Sequence, residues 1–124
     1  YCDLMHATPE VLEMDKSDQV IIARKNFQSF DWVMMTLWSA ISNKPGCCLS
    51  NGTYFPMAKE LQDYPDVNDC AGRCVFYLNR PIRALALTEI EQAVFAYLGC
   101  FTDDVPTLSA RGSKQYSEIR DKLI

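Results

Sequence analysis

Histidine is almost missing from this chain: His6 is the only one in 124 residues. There is also no Cys-x-x-Cys pair, phosphate loop, Gly-x-Gly-x-x-Gly, His-Glu-x-x-His or Gly-x-Ser-x-Gly. These absences exclude the zinc ribbons, phosphate-loop and dinucleotide enzymes, zinc proteases and serine hydrolases that depend on those spacings. A cysteine–histidine nucleophile pair would need His6 beside one of the cysteines, and no spacing favours it. His6 reads instead as a surface residue on a short N-terminal helix. Two carboxylate pairs are present. Asp103-Asp104 reads as a solvated loop, and Glu89 with Glu91 serves a helix start, so neither points to general acid–base work. The chain is not expected to be an enzyme, and no cofactor is implied.

Long apolar runs are missing too. A membrane helix needs about 20 predominantly apolar residues, whereas the longest rich stretch, Trp32 to Ile41, is interrupted by Thr36 and Ser39. No membrane span and no signal peptide are expected. An excess of positive charge is also lacking: the formal net charge is −4 and the pI about 4.9. Direct nucleic-acid contact by this segment is therefore not expected, because phosphate binding needs a basic footprint.

What is present is core-forming material. Apolar residues make up 48% and charged residues 23%, which is the balance of a folded domain and not of a disordered tail. The length suggests one domain at most. Six cysteines occur, at Cys2, Cys47, Cys48, Cys70, Cys74 and Cys100. Cys70 and Cys74 lie on one helix face, where a link would constrain little. Reduced thiols, several buried as small hydrophobes, are the simplest reading, and they suit an intracellular compartment.

Hydrophobic periodicity predicts a long helix over Lys16 to Ser42, with Asp15 as its cap and Asp18 in the favourable first turn. Its second half, WVMMTLWSAI, is apolar on nearly every side and is expected to be buried all round. Asn43, Lys44, Pro45 and Gly46 end it. Strands are predicted over Cys47–Ser50 and Thr53–Phe55, joined by a two-residue Asn51-Gly52 turn. Ala58 to Asp63 reads as a short helical turn. A further helix is predicted from about Val67 to Asn79, capped by Asp66 and broken or kinked by Pro81. Its apolar face carries Val67, Cys70, Ala71, Cys74, Val75 and Leu78. Thr88-Glu89-Ile90-Glu91 is a capping box, and the helix behind it is expected to be largely buried. Ser109 caps a last helix with Tyr116, Ile119 and Leu123 as its stripe and Glu118 with Lys122 as an i,i+4 pair. Asp31 stands in the apolar half of the long helix, where charge is costly unless solvated or paired. It either sits at a groove edge or reads a polar ligand group. The chain starts at Tyr1, its last helix has no stop signal, and the helices look too few to cover the central one. These features read as a piece of a larger helical domain.

Leu4 to Arg24 has the spacing of a known signature, with Pro9, Val11, Met14, Asp18-Gln19, Ile22-Ala23 and Arg24 in register. The segment resembles the signature of the nuclear hormone receptor ligand-binding domain. Leu4 stands where that signature has an aromatic and His6 where it has a lysine. LSNGTYFP resembles the family's two-stranded turn. PIRALALTEIEQAVFAYLGCF resembles the end of its seventh helix and its eighth. ARGSKQYSEIRDKLI resembles its ninth. The wording around NGTYFP and PIRALALTEIE is most similar to divergent nematode-type receptors.

The resemblance implies an all-α fold, a three-layer helical sandwich of which residues 1–124 hold the third helix to the ninth. It implies a fragment of a DNA-binding transcription factor in the nucleus, regulated by a small lipophilic ligand. Its zinc modules, later helices and activation helix are not in this sequence. The pocket it implies falls on Phe27, Gln28, Asp31, Trp32, Met35, Trp38, Leu49, Ser50, Val67, Cys70, Ala71 and Cys74. The same side chains would equally serve as plain core. Trp38 replaces a frequent arginine of the family that pairs ligand carboxylates, so acidic ligands are disfavoured and side chains can fill the pocket. The implied groove for coregulator proteins involves His6, Val20 and Arg24, with His6 a weaker, pH-sensitive substitute for lysine. A receptor dimer is implied for the parent protein. Two alternatives stay open: an orphan receptor with a filled pocket acting by protein contacts only, and an unrelated helical interaction domain.

Overall fold

A computed structural model describes residues 1–102 and 104–123, so Asp103 of the Asp103-Asp104 loop lies outside the described residues. The chain is mostly helical with one small antiparallel sheet, the all-α class that the sequence pattern predicts. In order come α1 (Cys2–His6), α2 (Pro9–Leu12), α3 (Lys16–Ser42), β1 (Gly46–Cys48), β2 (Tyr54–Pro56), α4 (Cys70–Cys74), α5 (Arg80–Ala84), α6 (Glu89–Leu98) and α7 (Ala110–Asp121). The chain divides into two compact units, Tyr1–Asp31 with Ala93–Ile124 and Trp32–Gln92. Helix α3 contributes residues 16–31 to the first and 32–42 to the second.

The first unit gathers Met5, Val11, Met14, Ile22, Cys100, Phe101, Val105, Tyr116 and Ile119 into one core. Burying a side chain such as Ile22 or Phe101 stabilises by roughly 2 kcal/mol each. Several polar groups inside it are paired. Fully buried Asn26 donates from Nδ2 to Tyr116 Oη at 3.2 Å. Gln19 Nε2 donates to the Met14 carbonyl at 2.8 Å, tying α3 to the turn before it. Asp18 is buried and accepts from both Ser109 N and Oγ, while Ser109 Oγ accepts from Gly112 N at 2.9 Å and so caps α7. The predicted cap is present, but the predicted Glu118–Lys122 pair is not. Lys122 reaches Glu10 at 3.1 Å and Glu118 faces Lys114 at 3.9 Å. Both pairs are exposed, where a change of partner costs little.

In the second unit, α3 ends as predicted: Asn43 has φ 56, a left-handed residue just past the last turn. Two of its terminal carbonyls, Ser39 and Ala40, are capped by the Arg83 guanidinium at 3.3 and 2.9 Å. The second half of α3 is not buried all round. Trp32, Trp38 and Ile41 are 38%, 39% and 62% exposed. An apolar surface makes a face fit for burial, but burial itself needs a neighbour on that face. The same correction applies to α6, where Ile90 is 77% exposed and no helix residue is fully buried. Its capping box is formed as expected: Thr88 N donates to Glu91 Oε2 at 2.8 Å and Glu91 N to Thr88 Oγ1 at 3.3 Å.

The segment before α4 starts later than predicted. Val67–Asp69 is a short 3-10 turn in which Asn68 and Asp69 adopt left-handed φ values of 63 and 53. Asp66 caps as expected but reaches past this turn, accepting from Cys70 N at 2.9 Å and Ala71 N at 2.8 Å. Val67 is consequently 74% exposed, and only Ala71, Cys74 and Val75 of the predicted face are buried. Pro81 does not break the helix. Residues Val75–Asn79 widen into a π segment in which Arg80 N bonds the Val75 carbonyl, five residues back. The wider turn absorbs the missing proline N–H and keeps its ring off the carbonyl four residues earlier.

Candidate ligand cavity

The hairpin β1–β2 presents alternate residues to opposite sides. Its pairs are Gly46–Pro56, Cys47–Phe55 and Cys48–Tyr54. The predicted two-residue turn would have paired Cys48 with Phe55. Instead Leu49 N donates to the Thr53 carbonyl and Gly52 N to the Leu49 carbonyl, both at 2.9 Å. That leaves a three-residue loop, Ser50-Asn51-Gly52. Only Gly52 takes a positive φ, 81, and the Asn51 side chain holds the loop by accepting from Thr53 N and Oγ1. This loop chemistry replaces the expected doubly left-handed turn, and a slip of one residue exchanges the faces. Cys47 therefore shares its side with Ala71 and Cys74 in a small buried cluster flanked by Leu49 and Phe55. Cys48 meets α3 instead: its N–H donates to Ser39 Oγ at 2.8 Å, and its sulfur lies 3.3 Å from Ser42 Oγ. Asn79, buried, donates to the Gly46 carbonyl at 3.0 Å and holds β1 to the helical segment.

Several hollows open around this cluster. One of about 260 Å³ is lined by Trp32, Met35, Leu49, Val67, Cys70 and Ala71, together with Cys47, Phe55 and Tyr64. A second, about 380 Å³, brings Trp38, Leu49 and Ser50 together with Ile41. A third, also about 380 Å³, has Trp32, Cys70 and Cys74 beside Tyr77. All nine second-unit residues singled out from the sequence thus line one or more of these walls. Phe27, Gln28 and Asp31 belong to the first unit. There Phe27 packs edge-on against Tyr1, with ring centroids 5.7 Å apart, Gln28 is exposed and Asp31 partly exposed. Val20 and Arg24 are exposed one turn apart on α3, and His6 is exposed at the end of α1.

The sequence did not point to Cys47, Phe55 or Tyr64 as wall residues. Phe55 and Tyr64 stack at 4.9 Å, and the corrected hairpin register is the signal that would have found Cys47 and Phe55. The walls are soft and apolar, with aromatic rings, a thioether and thiols and few polar anchors, a surface suited to a lipophilic guest. The electrostatics centre on the thiols. The Cys74 thiol is shifted down because it accepts a hydrogen bond from Cys47. Cys47 is shifted up, first by donating that bond and then by burial. Burial chiefly raises Cys70 as well. Among the described residues no group of three or more histidine, cysteine or carboxylate side chains could hold a metal ion, and no helix is long and apolar enough to cross a membrane.

This is a helical site with apolar hollows beside a short hairpin. No protein-family model and no solved structure matches the chain. Among the curated proteins that do are two receptors of Caenorhabditis elegans. Nuclear hormone receptor family member nhr-61 is 27% identical over 131 residues, covering 98% of this chain and 31% of that protein. Nuclear hormone receptor family member nhr-4 is 24% identical over 125 residues, covering 100% of this chain and 25% of that protein. The likeness runs through the whole chain and supports a divergent relationship to the nuclear hormone receptors. The chain spans less than a third of the length of either relative.

Proposed function

We propose that this chain is the central part of a nuclear receptor ligand-binding domain, from the third helix to the ninth, and that its second unit forms the wall of a site for a small lipophilic ligand. The observation that carries this reading is the hollow of about 260 Å³: six of its lining residues, Trp32, Met35, Leu49, Val67, Cys70 and Ala71, are ones that the receptor resemblance singles out. The parent protein is then a ligand-regulated, DNA-binding transcription factor in the nucleus, with coregulator proteins and a receptor partner as its contacts. His6, Val20 and Arg24 belong to the proposed coregulator groove.

A second reading draws on the size of the same hollow. Typical small-molecule sites span about 300–1,000 Å³, so 260 Å³ lies just below that range. An orphan receptor that acts by protein contacts alone would need no larger space, whereas the two neighbouring hollows reach about 380 Å³ each. Native mass spectrometry of the purified protein separates the two. A co-purified lipid, or quenching of Trp32 and Trp38 fluorescence by a titrated fatty acid or steroid that saturates, supports a ligand site. An unliganded mass with no saturable quenching leaves the orphan reading.

A further inference from the structure

Cys47 and Cys74 come from different elements, β1 and α4, and are 27 positions apart in sequence, yet their side chains pack together. Both are buried, in one cluster with Ala71. Each also borders a hollow: Cys47 the one beside Met35 and Phe55, Cys74 the one beside Arg73 and Tyr77. A small solute can therefore approach the pair. The remaining nearby cysteines are placed otherwise, Cys48 against Ser42 and Cys70 exposed one turn before Cys74. All of these are free thiols. The strand and the helical segment are already held together by the bond from Asn79 to the Gly46 carbonyl.

We propose that Cys47 and Cys74 form an oxidisable dithiol, which a peroxide or a small-molecule disulfide converts into a disulfide joining β1 to α4. With hydrogen peroxide the Cys74 thiolate attacks one oxygen, the O–O bond breaks, and the departing hydroxide takes up a proton to become water. Cys74 is then a sulfenic acid. Cys47 gives up its proton and attacks the Cys74 sulfur, the S–O bond breaks, and a second water leaves. Two thiols have lost two electrons and one peroxide has become two waters. The two sulfurs can exchange these roles, and either order of attack gives the same disulfide. A Cys70–Cys74 link would lie within consecutive turns of one segment and constrain nothing. A Cys47–Cys74 link closes the chain between hairpin and helix and stiffens the wall that both elements contribute. The proposal rests on the packing of β1 against the helical segment and is independent of the receptor reading.

The test is oxidation of the full chain with hydrogen peroxide or oxidised glutathione, followed by tryptic peptide mapping without reductant. Arg73 lies between Cys70 and Cys74, so trypsin places them in separate peptides. Cys48→Ser, whose hydroxyl keeps the Ser42 contact, leaves Cys47 as the only thiol in its peptide. The expected result is a linked pair of peptides carrying Cys47 and Cys74, lighter by two hydrogens and released by dithiothreitol. The oxidised protein should show a Tm raised by roughly 5–10 °C. Cys74→Ala abolishes the linked peptide. Cys70→Ala, which keeps both partners and does not disturb the buried cluster, leaves its yield unchanged. A predominant Cys70–Cys74 link, links between chains, or Cys74 over-oxidised with Cys47 still alkylatable would each overturn the proposal.

Discussion

Ser109 donates two hydrogen bonds to one carboxylate: its Oγ to Asp18 Oδ2 at 2.6 Å and its N to Asp18 Oδ1 at 3.0 Å. Asp18 stands in the first turn of α3 and Ser109 at the start of α7, so one buried acid fastens two helix starts. The Ser109 side-chain bond, then the backbone bond, holds the Asp18 carboxyl below its ordinary value of 3.8. Because the folded pKa lies below the unfolded one, the stabilisation is fully present above that ordinary value and is lost as pH falls through the folded pKa. Asp18→Asn should lower unfolding stability at neutral pH by about 1–2 kcal/mol. The gap to the parent protein should narrow as the pH drops below 3.8. Urea unfolding across the acid range measures it, and a gap that stays constant would show that the charge of Asp18 contributes nothing.

Gly112→Ala probes the same junction from α7. A Cβ at this position would fall on the Asp18 carboxylate and lie 3.1 Å from Ser109 Oγ. Alanine improves a helix interior by about 1 kcal/mol over glycine, yet displacing a buried carboxylate with two partners costs more. The expected outcome is a net loss of about 1–2 kcal/mol, read from thermal or urea unfolding. A more stable Gly112→Ala protein would mean that Asp18 does not occupy the space beside Gly112.

Gly46→Ala tests the hairpin. An added Cβ meets the Phe55 carbonyl, the Tyr54 ring and the Pro56 Cα, so the strands cannot close at their present spacing. The cost should be about 2 kcal/mol, with faster exchange of the amide hydrogens of Cys48 and Leu49. Unchanged exchange at these amides would contradict the register that places Cys47 opposite Phe55.

Asp66→Asn separates a structural role from an electrostatic one. Its carboxylate caps Cys70 N and Ala71 N, and its charge raises the titration of both Cys47 and Cys74. The substitution should cost about 1 kcal/mol of stability while shifting the pH dependence of thiol alkylation toward lower pH. Alkylation with iodoacetamide at a series of pH values reads the shift. An unchanged pH dependence would place the Asp66 charge away from the thiols.

Much of the fold was legible because its causes are local. Lys16–Ser42 follows from periodicity and ends at Asn43, Thr88 and Glu91 form their box, and Ser109 caps α7. Each depends on residues within one or two turns. Pro81 misled for a related reason. Proline forbids a regular α turn, but it does not forbid a wider one, and the π segment before it lets the helix continue. Trp32, Trp38 and Ile41 misled differently, since an apolar face states what a helix can bury and not what lies against it.

The candidate cavity was partly legible. The resemblance singled out Trp32, Met35, Leu49, Cys70 and Ala71, and one hollow gathers them. Cys47 and Phe55 were missed because the Asn51-Gly52 pair suggests a two-residue turn, and a register off by one exchanges inward and outward side chains; Tyr64 was missed because nothing local says that its ring stacks on Phe55. Arg83 was missed because nothing in the local sequence says which carbonyls a long cation will reach. By itself the sequence determined the helical class, the caps and the apolar composition of the walls, all set by short-range hydrogen bonding and side-chain character. Only the tertiary structure decided that Asp18 meets Ser109, that Cys47 meets Cys74 and that Arg83 closes the end of α3. Those pairings depend on long-range packing, which selects among many partners that the local sequence leaves equally possible.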